Sequence, residues 1–109
     1  MKVLVCGGRY FSDQEKMNDI LDLLQPSILI HGAAQGADTC AAHWGEQNPH
    51  VETKAFPADW DTHGRSAGPI RNREMLRENP ELVVAFQGGK GTADMVQIAK
   101  KAGLYVVEV

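Results

Sequence analysis

The sequence has no long apolar segment and few cysteines. No run of apolar residues approaches the ~18 that a membrane-spanning helix needs, so no membrane partner is expected. The opening segment, Met1–Cys6, predicts a strand rather than a signal peptide. Cys6 and Cys40, the two cysteines, both lie in apolar-patterned segments. This placement favours reduced, buried thiols and a cytoplasmic location.

Excess positive charge and abundant aromatic residues are also absent. The formal net charge is −3, and aromatic residues make up 6% of the chain. Proteins that bind single-stranded nucleic acid combine a basic groove with aromatic stacking platforms, so both values argue against that partner. The rest of the composition, 43% hydrophobic and 23% charged, is typical of a globular protein and excludes disorder and coiled coils. No linker, repeat or low-complexity tract divides the 109 residues, so we expect one domain over 1–109.

Five short apolar segments alternate with helix-like stretches. Most of these segments are nearly continuous in apolar residues, as expected of parallel strands covered on both faces; 51–56 alternates and is expected at an edge. The segments are Val3–Cys6, Ile28–His31, Val51–Phe56, Leu82–Phe86 and Leu104–Val109. Strand–helix alternation predicts a parallel sheet with right-handed crossovers and helices on both faces. The fold class is therefore α/β, a three-layer α/β/α domain with five parallel strands in the order 3-2-1-4-5.

Four stretches have helical spacing. The first helix is expected to start with Ser12 or Asp13 as its cap, and the last to end at Gly103 in a left-handed conformation. The third is expected over Ile70–Glu78, with Pro69 at its first position. These helices connect the strands in sequence.

Glycines concentrate where the predicted strands meet the following helices. Three of these four connections are glycine-rich, and all four lie at one edge of the sheet by construction. They contain Gly7-Gly8-Arg9, Gly32-Ala33-Ala34-Gln35-Gly36-Ala37-Asp38 and Gly88-Gly89-Lys90-Gly91-Thr92. Glycine lets the backbone approach a ligand, and a helix start presents free N–H groups to a phosphate. A single loop is explained equally well as a tight turn, but three on one edge favour a binding site.

Common phosphate and metal motifs are missing. No G-x-G-x-x-G follows the first strand, and Lys90 is followed by Gly91 rather than Ser or Thr, so the last loop is not a Walker A motif. A nucleoside triphosphatase is therefore not expected. The four histidines have no metal-like spacing, and no metal site is predicted. His31, at a strand end, is interpreted as a hydrogen-bonded structural histidine.

The fourth connection and the helix after it add candidate ligand contacts. Arg65–Arg77 holds four of the eleven basic residues of an acidic chain. Arg71 and Asn72, near a helix start, are candidates to fork onto a phosphate, whereas Arg77 is expected on a solvated helix face. Trp60 has two equally weighted interpretations, namely stacking on a base or ribose and plugging the core beneath its loop.

Taken together, the ordered motifs resemble the YspA, cpYpsA-related family of the SLOG superfamily, which includes the SMF/DprA and LOG proteins. The similarity runs almost end to end through Cys6-Gly7-Gly8-Arg9, His31-Gly32-Ala33-Ala34-Gln35-Gly36-Ala37-Asp38, Pro57-Ala58-Asp59-Trp60, Gly68-Pro69-Ile70-Arg71-Asn72 and Gly88-Gly89-Lys90-Gly91-Thr92-Ala93-Asp94-Met95. The resemblance implies a Rossmann-like fold, a bacterial or phage source, and a pocket for a nucleotide or a nucleotide-derived ligand such as ADP-ribose or NAD. It also implies a homodimer.

Two kinds of relative imply alternative functions. The LOG phosphoribohydrolases cleave the N-glycosidic bond of nucleoside monophosphates with a P-G-G-x-G-T-x-x-E motif, which this chain matches through Gly88–Thr92. Gln87 replaces the proline and Met95 replaces the glutamate. The DprA relatives bind single-stranded DNA. We expect binding or sensing of a nucleotide-like ligand, with nucleotide hydrolysis and then single-strand binding as alternatives.

The candidate site residues come from these loops. Those for the ligand and its phosphate are Gly7, Gly8, Arg9, Gly32, Gly36, Asp38, Trp60, Arg71, Asn72, Gly88, Gly89, Lys90, Gly91 and Thr92. If the protein is an enzyme, Asp38, Asp59 or Asp94 is the candidate acid or base. No nucleophile–base pair is predicted, and no cofactor beyond the nucleotide-like ligand.

Overall fold

Five parallel strands form one sheet in the computed structural model, which describes all 109 residues. The strands are β1 (Lys2–Cys6), β2 (Ile28–His31), β3 (Glu52–Ala55), β4 (Leu82–Ala85) and β5 (Tyr105–Glu108). The helices are α1 (Gln14–Leu24), α2 (Ala37–Gln47), α3 (Trp60–His63), α4 (Ala67–Leu76) and α5 (Lys90–Lys101). The strand order is β3-β2-β1-β4-β5, which confirms the prediction.

The core lies in two layers, one on each face of the sheet. Alternate residues of the central strand β1 enter opposite layers: Val3 and Val5 pack with α1 and α2, and Leu4 and Cys6 pack with α4 and α5. Because a strand buried on both faces exposes neither set of side chains, an uninterrupted apolar run is what β1 requires. This arrangement gives the predicted α/β/α layers of a Rossmann-like fold.

The helix boundaries differ from expectation in the connection between β3 and β4. The helix α4 begins at Ala67 and ends at Leu76, so Pro69 lies in its first turn rather than at its first position. The short helix α3 and a 3₁₀ turn over residues 64–66 lie in a segment that was expected to be a loop. Asp59 caps α3 by accepting a hydrogen bond of 3.1 Å from the Thr62 amide. Four residues are too few to produce a hydrophobic period.

The expected caps of the other helices are in place. Asp13, rather than Ser12, caps α1 through a 3.0 Å hydrogen bond from the Lys16 amide. Gly103 follows α5 with a φ of 78°, the left-handed conformation predicted for it. No helix is both long and apolar enough to cross a membrane.

Both outer strands are largely exposed. The alternation in 51–56 correctly placed β3 at an edge, where all four of its residues lie outside the core. The other edge strand, β5, is apolar in sequence, yet Tyr105 is 79% exposed and Val107 is 49% exposed. Its apolar pattern therefore does not indicate burial within this chain.

Candidate functional site

A cavity of about 600 Å³ opens at the carboxyl edge of the sheet. It lies beyond the carboxyl ends of β1 and β4, which are neighbours in the sheet. From β1 to β3 the strands are added on one side, and from β4 to β5 on the other. Open α/β sheets bind ligands at this switch point, and ligand sites usually measure about 300–1,000 Å³. Position and size both suit a small molecule.

Most of the predicted residues meet at this cavity. The lining includes Gly7, Gly8, Arg9, Asp38, Trp60, Arg71, Asn72, Gly89, Lys90, Gly91, Thr92 and Asp94. They come from the loops after β1 and β4 and from the helices α2, α3, α4 and α5, which are far apart in sequence. The topology brings them together because every strand of a parallel sheet ends at the same edge.

Three predicted glycines lie outside the cavity lining and allow the close approach of neighbouring atoms of the chain instead. Gly36 has a φ of 85°, and a Cβ atom there would collide with the Gly8 carbonyl oxygen. A Cβ atom on Gly88 would lie 2.6 Å from the Gly8 nitrogen, and one on Gly32 would strike the Arg71 guanidinium. Sequence alone does not separate a glycine that admits a ligand from one that admits a neighbouring loop.

Gly8 links the glycine loops to one another. Its amide donates a hydrogen bond of 2.9 Å to the Gln87 carbonyl, and its carbonyl accepts one of 3.1 Å from the Ala37 amide. The loop after β1 is thus held against the loop after β4 and against the start of α2. These backbone bonds fix one wall of the cavity without using any side chain.

Asp59, the remaining predicted acid, does not reach the cavity. It is exposed, and its carboxylate is engaged in capping α3 through the Thr62 amide. Hydrogen bonding by the Thr62 side chain, and then by the Thr62 amide, lowers the pKa of Asp59 below its usual value. The structure therefore assigns Asp59 a local structural role, and only Asp38 and Asp94 remain as carboxylates in the cavity.

The lining also contains residues that were not nominated from the sequence. They are Cys6, Ala34, Gln35, Arg65, Gly68, Pro69 and Met75. Cys6 was assigned to the core, and it is indeed 7% exposed, but it also lines the cavity. Burial raises the pKa of its thiol to about 12, so it is not a nucleophile near neutral pH. Its position at a strand end was the signal available in the sequence.

The start of α5 presents unpaired amides to the cavity. Gly89 is the N-cap, and the N–H groups of Lys90, Gly91 and Thr92 donate no hydrogen bond within the chain. A Cβ atom added at Gly89 or Gly91 would meet nothing within 4 Å. No acidic residue lies in this first turn. The positive end of the helix dipole is therefore open to an anion.

Asn72 joins α4 to α5. It is 4% exposed, and its Nδ2 donates hydrogen bonds to the Gly91 carbonyl at 3.2 Å and to Asp94 Oδ2 at 3.0 Å. Its Oδ1 accepts a bond of 3.2 Å from Arg71 Nε. Both amide hydrogens are engaged, so Asn72 positions the first turns of α5 instead of forking onto a phosphate itself.

Asp38 lies buried in the first turn of α2. It is 7% exposed; its Oδ2 accepts a hydrogen bond of 3.3 Å from the Ala34 amide, and its Oδ1 has no partner. Burial raises the pKa of this carboxyl from the usual 3.8 to about 6, against the opposing effect of the Arg71 guanidinium. The burial of Asp38 thus disfavours its charged form relative to an exposed aspartate.

The motif position of the LOG glutamate faces away from the cavity in this chain. Met95 is fully buried in the core layer that contains Cys6 and Ala99. Asp94, one residue earlier, lines the cavity. The two side chains point differently because successive helix residues are about 100° apart.

Comparison with known proteins identifies a family for this chain. A family model described as the YspA, cpYpsA-related SLOG family matches residues 1–63. The Gene 61 protein of Mycobacterium phage D29 is 35% identical over 117 residues, covering 97% of this chain and 94% of that protein. The chain belongs to the YspA, cpYpsA-related SLOG family. The match confirms the resemblance seen in the motifs.

Charge is distributed unevenly around the cavity of this SLOG protein. Four cationic side chains, Arg9, Arg65, Arg71 and Lys90, line it beside the two carboxylates. The chain as a whole carries a net charge of −3. The cavity therefore concentrates positive charge within an acidic protein, as a site for an anionic ligand requires.

The remaining predictions concern single side chains. His31 is 4% exposed and accepts a hydrogen bond of 3.0 Å on Nδ1 from the Ala33 amide, which confirms a structural histidine. Burial lowers its pKa. Trp60 is 59% exposed at the cavity rim, which excludes the plug interpretation and leaves its ring available for stacking. Arg77 is exposed, as expected.

Proposed function

We propose that this SLOG protein binds a nucleotide or nucleotide-derived ligand, such as ADP-ribose or NAD, with a phosphate group at the start of α5. The observation that carries the proposal is the set of three free amides at Lys90, Gly91 and Thr92, open to a cationic cavity. Lys90 adds charge, and the Thr92 hydroxyl adds a further donor. Such a nest of donors is a common phosphate site.

The charge distribution favours α5 over α2 as the phosphate site. Both helices begin at the cavity edge, but α2 carries Asp38 in its first turn and α5 carries no acid there. An ionised Asp38 would repel a phosphate, whereas Lys90 attracts it. The most negative part of the ligand therefore belongs against α5.

The exposed Trp60 supports a planar group at the other end of the ligand. Its ring lies above Gly68, where an added Cβ atom would be 3.5 Å from the ring. Aromatic side chains stack on nucleic-acid bases with about 1–3 kcal/mol per base. A base at the rim and a phosphate at α5 leave the ribose between them, over the cavity floor.

The test is identification of the ligand followed by measured affinity. Mass spectrometry of small molecules released from the purified protein should detect a nucleotide derivative. A melting screen should then show a rise in Tm with at least one of AMP, NAD and ADP-ribose, because a ligand that binds only the folded state stabilises it. Absence of both signals would contradict the proposal.

Hydrolysis of a nucleotide is the second candidate function. It is favoured by the position of Asp38, a buried carboxyl in the cavity wall, where burial raises its pKa to about 6, as suits an acid–base group. Against it, Met95 occupies the core at the LOG glutamate position. Chromatography of AMP incubated with a high concentration of protein should show no free base, and multiple-turnover base release would instead support the enzyme.

A further inference from the structure

The cavity contains one buried polar atom that nothing in the chain satisfies. Only 7% of Asp38 is exposed to solvent, and its Oδ1 has no hydrogen-bond partner. Buried carboxylate oxygens are nearly always paired, since desolvation without a partner is unfavourable. An orphaned acceptor at the wall of a ligand cavity is the arrangement expected when the missing donor belongs to the ligand.

No neighbouring donor of the protein reaches Asp38 Oδ1. The Ala34 amide donates to Asp38 Oδ2. Arg71 stands beside Asp38 and affects its pKa, but its Nη1 donates to the carbonyls of Gly32 and Phe56, and its Nε donates to Asn72. No hydrogen bond or ion pair joins Arg71 to Asp38 Oδ1. The chain itself therefore supplies no donor to this oxygen.

The proposed placement of the ligand decides which of its groups lies near Asp38. A phosphate is disfavoured beside a carboxylate and has its donors at α5, and the base lies at the exposed rim with Trp60. The ribose between them carries hydroxyl groups, which are hydrogen-bond donors. Hydrogen bonds from a hydroxyl to a charged acceptor are among the stronger ones in proteins.

We propose that Asp38 Oδ1 accepts a hydrogen bond from a ribose hydroxyl of the ligand and makes the site select ribonucleotides over their deoxy counterparts. This inference rests on the proposed function. Asp38 is then a specificity-determining residue that contacts the ligand. A site built to hydrogen-bond a hydroxyl discriminates strongly against an analogue that lacks it, because its buried acceptor is left unpaired.

The first part of the test changes the ligand and leaves the protein intact. Calorimetry should give Kd values for AMP, 2′-deoxy-AMP and 3′-deoxy-AMP with the parent protein. We expect at least one deoxy analogue to bind about tenfold or more weakly than AMP. Equal Kd values for all three would overturn the inference while leaving the proposed function standing.

The second part changes Asp38. In Asp38→Ala the ratio of the Kd of the weaker deoxy analogue to the Kd of AMP should fall to about one. In Asp38→Asn, which keeps a polar group of the same shape, this ratio should decrease but stay above one. Asp19→Asn removes the same charge from the exposed face of α1 and should keep the preference of the parent. A preference that persists in Asp38→Ala overturns the inference. Failure of the parent to bind AMP, NAD and ADP-ribose overturns the proposed function and this inference with it.

Discussion

Arg71 Nη1 donates a hydrogen bond of 2.5 Å to the carbonyl oxygen of Gly32. This bond joins α4 to the loop after β2, two parts of the chain 39 residues apart. Since a Cβ atom on Gly32 would collide with the guanidinium, the glycine is what permits the contact. Arg71 therefore acts as a brace for the cavity as well as a source of positive charge.

The hydrogen bonds that Arg71 donates to Gly32 and Asn72 predict that lysine cannot replace this arginine. In Arg71→Lys the forked donors to Gly32 and Asn72 are lost, because an ammonium group presents a compact point charge. The free energy of unfolding should fall by about 1–3 kcal/mol in urea titrations, and nucleotide affinity should fall with it. Arg73→Lys on the same helix is the control, since exposed Arg73 makes one bond, to the Pro69 carbonyl, and its loss should change stability by about 0.5 kcal/mol or less. Equal losses of free energy of unfolding in the two variants would contradict this stabilising role of Arg71.

Asp38 predicts a specific dependence of stability on pH. Its pKa is about 6 in the folded protein against the usual 3.8, so between these values the folded state binds more protons than the unfolded state. Stability attributable to Asp38 is therefore lost as pH rises through this window, by on the order of 3 kcal/mol in total. Urea titrations from pH 3.5 to pH 7.5, on parent and Asp38→Asn, should show the parent losing stability relative to the variant.

Subtracting the free energy of unfolding of Asp38→Asn from that of the parent separates the contribution of Asp38 from those of other titrating groups. Cys6, on β1, has a thiol pKa of about 12 and does not titrate in this range. His31, on β2, has a lowered pKa and titrates equally in both proteins, as do Asp59 and Glu78 with their lowered values. A difference that does not vary with pH would show that Asp38 has an ordinary pKa.

The burial of Met95 predicts that one substitution at this position cannot restore the activity of the LOG motif. Met95→Glu would bury a carboxylate without a partner and should lower the free energy of unfolding by about 3 kcal/mol or more. It should release no free base from AMP, because the side chain points into the core. Met95→Leu conserves the volume and should lose less than about 1.5 kcal/mol. Base release by a stably folded Met95→Glu protein would contradict this placement.

Much of the fold could be predicted because β1, β2 and β4 are buried on both faces and so must be apolar throughout. The short α3 could not, since four residues carry no period, and its start depends on one capping contact between Asp59 and Thr62. The predicted strand order placed β5 at an edge, but the exposure of its side chains could not be predicted, because an apolar strand has the same sequence pattern at an edge as in the centre.

The candidate site was predictable to the level of loops but not of contacts. Glycine-rich connections marked the edge at which the cavity opens, yet Gly36 and Gly88 accommodate neighbouring backbone, whereas Gly89 and Gly91 face open space. Asn72 was placed correctly, but its hydrogen bonds to Gly91 and Asp94 depend on how α4 meets α5. The orphaned oxygen of Asp38 depends on contacts that no local pattern encodes.

The exposed apolar edge at β5 bears on assembly. We propose that the chain forms a homodimer, for which Tyr105 and Val107 offer exposed apolar surface beside unpaired strand backbone. Light scattering at micromolar concentration should give twice the 11.9 kDa of one chain. Val107→Lys should shift the mass toward that of a monomer; a parent protein that is already monomeric would contradict the proposal.

The proposed position of the ligand phosphate, on the free amides at the start of α5, is tested by comparing two glutamate variants. Gly91→Glu places a carboxylate among those amides, and Gln97→Glu adds the same charge to an exposed site two turns along the same helix, away from the cavity. A glutamate in the first turn should keep stability or raise it by about 1 kcal/mol, because glycine is a poor helix former and the helix dipole favours an acid there. Titration calorimetry with ADP-ribose should show affinity reduced about a hundredfold or more in Gly91→Glu and unchanged in Gln97→Glu. A folded Gly91→Glu protein that binds ADP-ribose as tightly as the parent would place the phosphate elsewhere.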